Sequence, residues 1–505
     1  NLGILRTHPT QGFVYLANGN GFYKSTDGAA TFTKTFSTPV TGLDVLPSAG
    51  HENKVFLSTA DGVYISTNAG ETFTKVTSSN YPTTTAGFMP ASHLKVSPAD
   101  PARMTLQIQV DTWTTFKYYS HNGGATWAKT GENAGNLNYL PFNGGRTGHG
   151  LWHPTDPNRA WGFGSDGMQT SFDGAATLRW SHNGLPAVMG REFNFSTTTP
   201  GVFVIPTQDY DVSVTRDNGN TWKYLNLSKL GWGGYFYGAY SSNGDVVFAI
   251  EKDWQDFSKY YISITWDNGA STTKFPNQPV TGFHTALGDP HDDKIFFAGE
   301  YRSTDEGHTW TRMNGCDGVF TASPTGGREL YGATQGRAIV RSTDRGATWV
   351  PVGSVPNDVM DVAFDPLRNR VYVATQWNLY QLDAATKAVT DITGRVTADQ
   401  YGNRRFYQVA VDPVDPNVVY TAGANHIYAN DAAVRRSTDG GQTWVPLTRS
   451  PRHNNPQFGV DGGKEGEIVR VNPLTRDLVV GTNCYGTWRF GPPAAPPGNG
   501  PDLVV

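Results

Sequence analysis

An eight-residue pattern, Ser/Thr-x-Asp/Asn-x-Gly-x-Thr-aromatic, recurs along the chain and constrains its fold more than any other feature. It begins at Ser25 (STDGAATF), Ser66 (STNAGETF), Ser120 (SHNGGATW), Thr215 (TRDNGNTW), Ser303 (STDEGHTW), Ser342 (STDRGATW) and Ser437 (STDGGQTW), with weaker copies at Ser171 (SFDGAATL) and Thr265 (TWDNGAST). The residue types describe a stapled hairpin turn. The Asp or Asn side chain accepts backbone N–H bonds within its own turn, Gly supplies a positive φ, Thr adds a hydroxyl bond, and the ring plugs the base of the unit. Two strand-like runs stand before each copy and another follows it, as in TGLDVLP, KVFLSTADGVYISTNAG and ETFTKV of the second unit. The pattern therefore joins the third and fourth strands of a four-stranded unit.

Complete units begin near Leu2, Thr41, Ser92, Gly148, Arg191, Gly234, Thr281, Gly318, Asp358 and Tyr407. The ninth keeps its strands (VAFDPLRNRVYVATQWNLYQLD) and loses the turn pattern, and a partial eleventh (EIVRVNPLTRDLVVGTNCYGTWRF) lacks an obvious fourth strand. Such units cannot bury both faces alone, so they stack radially. The expected fold is all-β: a β-propeller of about ten four-stranded units over residues 1–490, as one large ring or two tandem smaller rings. Residues 491–505, which open with Pro-rich sequence (PPAAPPGNGP), read as a linker or tail.

Composition narrows the partners. With 58 Gly and only 17% charged residues in 505, the chain suits short strands and tight turns. A net charge of −4 with scattered Lys and Arg gives no basic stripe, so nucleic acid is not expected. No apolar run reaches the length of a bilayer span, and Asn1 opens the chain without a basic or apolar leader, which fits a mature secreted protein, expected to be monomeric. Cys316 and Cys484 are too few for a disulfide scaffold, and free thiols are the expectation for both. No His or Cys pair has ligand spacing; no metal or cofactor is expected, although loop carboxylates leave room for a structural Ca²⁺.

The turn pattern and the turns between first and second strands share one face of such a fold. Loops between second and third strands, and connectors between units, share the other, and ligands bind where long variable loops gather. On that second face the third unit carries Asp111 and Trp113, the fifth Asp209, Tyr210 and Asp211, and the sixth Glu251, Lys252, Asp253 and Trp254. The ninth adds Trp377, the tenth His426, and the last Tyr485 and Trp488. Carboxylates beside flat rings suit a sugar site, because rings stack on pyranose C–H faces while paired acids serve as acid and base or nucleophile. Asp209 and Asp211 share a side of an extended segment, so they form either a like-charge pair or a staple of side-chain to backbone bonds. HPTDPN at His153 and VDPVDPN at Val411 read as turns. Long connectors over 131–147, 393–406 and 448–467 suggest function, the last with Arg452, His453, Lys464 and Glu465.

These repeats resemble the Asp-box (BNR) propellers, which include sialidases, xyloglucan-cleaving glycoside hydrolases and sortilin-type receptors. The resemblance covers about residues 1–490, and phrases such as VYLANGNGFYKSTDG are most similar to the xyloglucanases. It implies carbohydrate work by two Asp residues in a cleft of propeller loops. The position of the first of those acids holds Asn18 and Asn20 here, and ALGDPHDD around Asp289, similar to the surroundings of the other, falls in a turn between first and second strands. The sialidase F/Y-R-I-P motif is missing. Three functions stay open. One is a polysaccharide hydrolase using two of Asp111, Asp209, Asp211, Glu251 and Asp253, with Trp113, Tyr210, Trp254, Trp377, His426, Tyr485 and Trp488 binding the poly- or oligosaccharide. Another is a polysaccharide lyase using His149, Arg146, His426, Arg452, His453 and Tyr485 on a uronate-bearing glycan. The third is a glycan- or peptide-binding propeller without catalysis.

Overall fold

The computed structural model describes residues 3–83, 91–109, 115–132, 150–164, 167–180, 192–207, 211–229, 235–253, 255–323, 328–396, 404–423, 434–447, 468–481, 487–491 and 503–504. They form eleven sheets, ten of four strands and one of five, with four antiparallel strands of each sheet taken in chain order. In the fourth sheet Gly131–Glu132 adds a fifth strand, parallel to Thr177–Trp180. The one helical turn among the described residues is the 3-10 turn Thr393–Arg395, and no helix there is long and apolar enough to cross a membrane. Two compact units are formed, one of 1–137 with 142–187 and the other of 138–141 with 188–505. The first holds sheets one to four and the second sheets five to eleven.

Each repeat pattern closes the turn between third and fourth strands, and the seventh sheet shows how. Asp305 accepts Ser303 Oγ (2.7 Å) and Thr309 N (2.9 Å) at Oδ1 and Thr309 Oγ1 (2.6 Å) at Oδ2. Gly307, at φ 84°, donates its N–H to Ser303 Oγ at 2.8 Å. Trp310 then turns inward against Phe248 of the sixth sheet, ring centroids 5.3 Å apart. The repeat thus staples its own hairpin and fills the gap to the preceding sheet. Asp344 of the eighth sheet repeats the geometry, and hydrogen bonding from Thr348 holds its carboxyl down to about 2. Asp344→Ala is expected to cost about 1 kcal/mol of stability, because the turn is exposed to water. The denaturation midpoint should fall while turnover per folded molecule is unchanged; lost turnover at an unchanged midpoint would show the two faces reversed.

The turns between first and second strands are also built from side-chain caps. Asp412 Oδ1 accepts the N–H groups of Val414 and Asp415, both at 2.9 Å, and His153 Nδ1 accepts those of Thr155 and Asp156 at 3.3 and 3.1 Å. These residues are turn formers, as the sequence suggests.

Packing explains why the middle strands of the second unit are rich in apolar residues: each is covered by a sheet on both sides. Tyr240, Phe248, Ile262 and Ile264 of the sixth sheet pack against Phe296, Tyr301 and Trp310 of the seventh. Tyr331 and Ile339 of the eighth pack against Phe364, Val371 and Leu382 of the ninth, with Tyr331 and Phe364 stacked at 4.3 Å. In the second unit the last sheet also returns to the first. Phe193, Phe195 and Phe203 share a core cluster with Ile468 and Val479, and Arg489 Nη1 donates to Asn218 O at 2.8 Å. The seven sheets therefore make a closed circuit.

The expected all-β architecture of about ten units is present, and the partial eleventh unit is a full sheet, because it gains its fourth strand from Leu503–Val504, which pairs with Phe490 and Arg489. These two residues lie in the segment that composition alone reads as linker. Cys316 is a free, buried thiol donating to Gly318 O at 3.3 Å, and burial pushes its pKa up to about 12. Cys484 lies outside the described residues.

Candidate functional site

The sixth sheet carries the best-defined candidate corner. Its second strand, Val247–Lys252, pairs with Tyr260–Thr265, setting Glu251 opposite Tyr261 and Lys252 opposite Tyr260. Glu251 and Lys252 are thus strand residues, not loop residues as the sequence reading has them. Glu251 is 2% exposed and accepts Ser263 Oγ (2.5 Å) and Lys274 Nζ (2.7 Å), so both oxygens are engaged.

Asp253 opens the loop. Its backbone N–H donates to Lys259 O at 2.8 Å, and its Oδ1 accepts the N–H of Gln255 at 2.8 Å and of Asp256 at 3.4 Å. The Tyr261 phenol, hydrogen-bonded to it, holds its carboxyl below the usual carboxylate range, so Asp253 is ionised at neutral pH. Beside it Lys252 Nζ lies 5.1 Å from the Phe257 ring centroid, 5.6 Å from that of Tyr260 and 5.9 Å from that of Tyr237. Tyr260 stacks on His284, centroids 4.0 Å apart, and Tyr237 meets the same imidazole at 5.3 Å. Burial pushes His284 down to about 4, with the Lys252 charge acting in the same direction and Glu300 against it. His284 is therefore neutral at physiological pH. The corner offers one ionised carboxylate, one ammonium and a stack of rings, the elements that hold a sugar by C–H stacking and hydrogen bonds. Tyr237, Phe257 and His284 were not singled out in the sequence, because they reach this corner from a first strand, a loop interior and an inter-unit connector.

Asp211 makes staple bonds to the backbone, while Asp209, with which it would pair, lies outside the described residues. At φ 60° and 0% exposed, Asp211 accepts Val212 N (2.8 Å) and Leu227 N (3.0 Å) at Oδ1 and Ser228 N (2.8 Å) at Oδ2. Burial pushes its pKa up to about 6 against those bonds. This is a loop staple with its acceptor positions filled by backbone donors. Trp377 is 47% exposed on the hairpin of the ninth sheet, with the Arg405 guanidinium 4.5 Å from its ring, and Trp488 belongs to the strand Thr487–Phe490. Asp111, Trp113, Asp209, Tyr210, Trp254, His426 and Tyr485 lie outside the described residues, as do Arg146, His149, Arg452, His453, Lys464 and Glu465. Among the described residues no group of three or more His, Cys, Asp or Glu is placed to hold a metal ion.

A second charged cluster, absent from the sequence reading, lies on the innermost strands of the second unit. Arg470 Nη1 reaches Asp361 Oδ2 at 2.7 Å, while its Nε and Nη2 reach Glu192 Oε1 and Oε2 at 3.0 and 3.1 Å. Gln408 Nε2 donates to Glu192 Oε2 at 3.0 Å, and Val409 N donates to Asp361 Oδ2 at 3.0 Å. Burial raises the pKa of both carboxyls, and Arg470 opposes it. A cavity of about 150 Å³ adjoins the cluster, walled by Phe195, Phe320 and Phe364. The residues come from the ninth, tenth and eleventh sheets and from the segment that leads into the fifth, and both terminal nitrogens of the guanidinium donate hydrogen bonds. The cluster clasps the circuit of sheets. Its sequence signal was an acid or a base inside an apolar strand, in VMDVAF and EIVRVNP.

The BNR/Asp-box repeat model matches residues 118–129, which contain the turn beginning at Ser120. A xyloglucanase of Paenibacillus sp is 27% identical over 287 residues, 43% of this chain and 28% of that protein. A xyloglucanase of Acetivibrio thermocellus is 32% identical over 117 residues, 22% of this chain and 13% of that protein. The matched stretches thus span less than a third of either relative. Among solved structures, a GH74 xyloglucanase from Xanthomonas campestris superposes with TM-score 0.53 at 16% identity, covering 97% of this chain and 82% of that one. A GH74 enzyme from Niastella koreensis does so with TM-score 0.50 at 17% identity, covering 96% and 81%. At these identities the structural likeness is one of fold, and together with the turns and sheets described above it makes the chain an Asp-box β-propeller protein.

Proposed function

We propose that the chain is a glycoside hydrolase of a plant or microbial polysaccharide, with xyloglucan the first substrate to try. The observation that carries this reading is the 287-residue alignment at 27% identity to a xyloglucanase. The corner around Asp253 supports it, since an ionised carboxylate beside Tyr260, Tyr237 and Phe257 combines a base or nucleophile with sugar-stacking rings. A polymer of that size is met outside the cell, which fits a secreted protein. The test is incubation with xyloglucan and a panel of neutral and uronate-bearing polysaccharides. The expected result is new reducing ends from a neutral glucan without the ultraviolet absorbance of an unsaturated uronate. That absorbance would replace hydrolysis by a lyase reaction. A second reading, glycan binding without cleavage, is favoured by the filled acceptor positions of Asp211 and Glu251; retention on polysaccharide with no new ends would establish it.

A further inference from the structure

The first unit holds a half-buried cation that has no carboxylate partner among the described residues. Lys117, on the strand Thr115–Ser120 of the third sheet, directs Nζ towards the fourth sheet, where it donates to Gln169 Oε1 at 2.6 Å. Among the described residues that neutral amide is its one hydrogen-bond acceptor, and no carboxylate there lies within ion-pair distance. Asp44, in the same unit, is already taken by Lys95 at 3.4 Å and by Val96 N at 2.9 Å. Burial alone pushes Lys117 down to about 8, so the amine is still mostly protonated at neutral pH.

The ammonium lines a cavity of about 30 Å³, room for one small occupant. Its polar wall is made of donors and neutral groups, Thr105, Gln107, Thr130 and His93, with no acid among the lining residues. Gln107 Nε2 bonds His93 Nδ1 at 2.8 Å, and Thr130 Oγ1 donates to Ala175 O at 3.0 Å. Gly162 keeps the space open, since a Cβ there would stand 2.8 Å from Lys117 Nζ. A charged group taken from water needs a partner of opposite charge or loses its proton. A water molecule in the cavity would supply only a dipole.

We propose that Lys117 and the cavity it faces bind one small monovalent anion of chloride size, which neutralises the ammonium and ties the third sheet to the fourth. The site is independent of the hydrolase reading. The test is thermal unfolding of the whole protein at constant ionic strength, with gluconate replaced stepwise by chloride. A ligand that binds the folded state raises the midpoint by mass action, and a rise of about 2–4 °C up to ~200 mM chloride is expected for a unit of this size. Lys117→Met should show no rise. If that variant does not fold, Gly162→Ala, whose methyl displaces the ammonium, should also be flat. No rise in the unaltered protein, as for a site holding only water, or an equal rise in either variant, overturns the proposal.

Discussion

Arg470→Met is expected to destabilise the second unit by about 3–5 kcal/mol, the usual consequence of removing one partner from a buried ion cluster. Met keeps most of the side-chain volume, so the loss reports charge and hydrogen bonds more than a cavity. The variant leaves Glu192 and Asp361 facing each other with Gln408 Nε2 and two backbone N–H groups, of Phe193 and Val409, as their donors. Both carboxyls already have raised pKa values through burial. Removing the guanidinium raises them further, so the folded variant binds protons that the unfolded chain releases. A raised folded-state pKa contributes stability that is full below the unfolded value and declines as pH rises through the folded one. The deficit relative to the unaltered protein should therefore be small near pH 4 and grow towards about pH 7. Denaturant unfolding across that range reads it directly. A second comparison is Arg470→Met combined with Glu192→Gln and Asp361→Asn, which removes the stranded charges and should recover part of the loss at neutral pH. A deficit that is constant with pH would mean that packing, not charge, accounts for the effect.

What was legible in the sequence was local. The Asp-box turn needs Ser303, Asp305, Gly307 and Thr309 within a few residues, so the string itself states the hydrogen bonds that appear in the structure. The cap of Asp412 on Val414 and Asp415 was readable for the same reason. The clasp was not, because Arg470 and Glu192 are 278 positions apart and meet only once seven sheets have closed on themselves. Asp211 was ambiguous because its left-handed φ, which turns the carboxylate onto Leu227 and Ser228, has no signature in TQDYDV. Glu251 was misplaced by the length of one strand: EKDW reads as loop, yet pairing with Tyr260 and Tyr261 carries the sheet through Lys252. The last strand was missed because Leu503–Val504 is two residues long and follows Pro-rich sequence.

If the chain is a hydrolase that works at the sixth-sheet corner, Asp253→Asn should lower kcat by about a hundredfold or more, the scale of a lost acid, base or nucleophile. The amide is a discriminating change at this position. It keeps an Oδ1 that accepts from Gln255 and Asp256, so the loop retains its cap and the melting temperature should barely move. What it removes is the negative charge that the Tyr261 hydrogen bond stabilises. Glu251→Gln supplies the contrast. Glu251 is buried between Ser263 and Lys274, so its amide should lower stability while leaving kcat per folded molecule near normal. Tyr260→Ala removes a ring without touching either carboxylate, and a stacking platform that holds substrate and transition state alike should show itself mainly in KM. The pattern that would sink the assignment is an Asp253→Asn protein with unchanged melting and unchanged kcat on a polysaccharide that the unaltered protein cleaves. Asp253 would then be a loop cap of the same kind as Asp412, and the reacting carboxylates would have to be sought among Asp111 and Asp209.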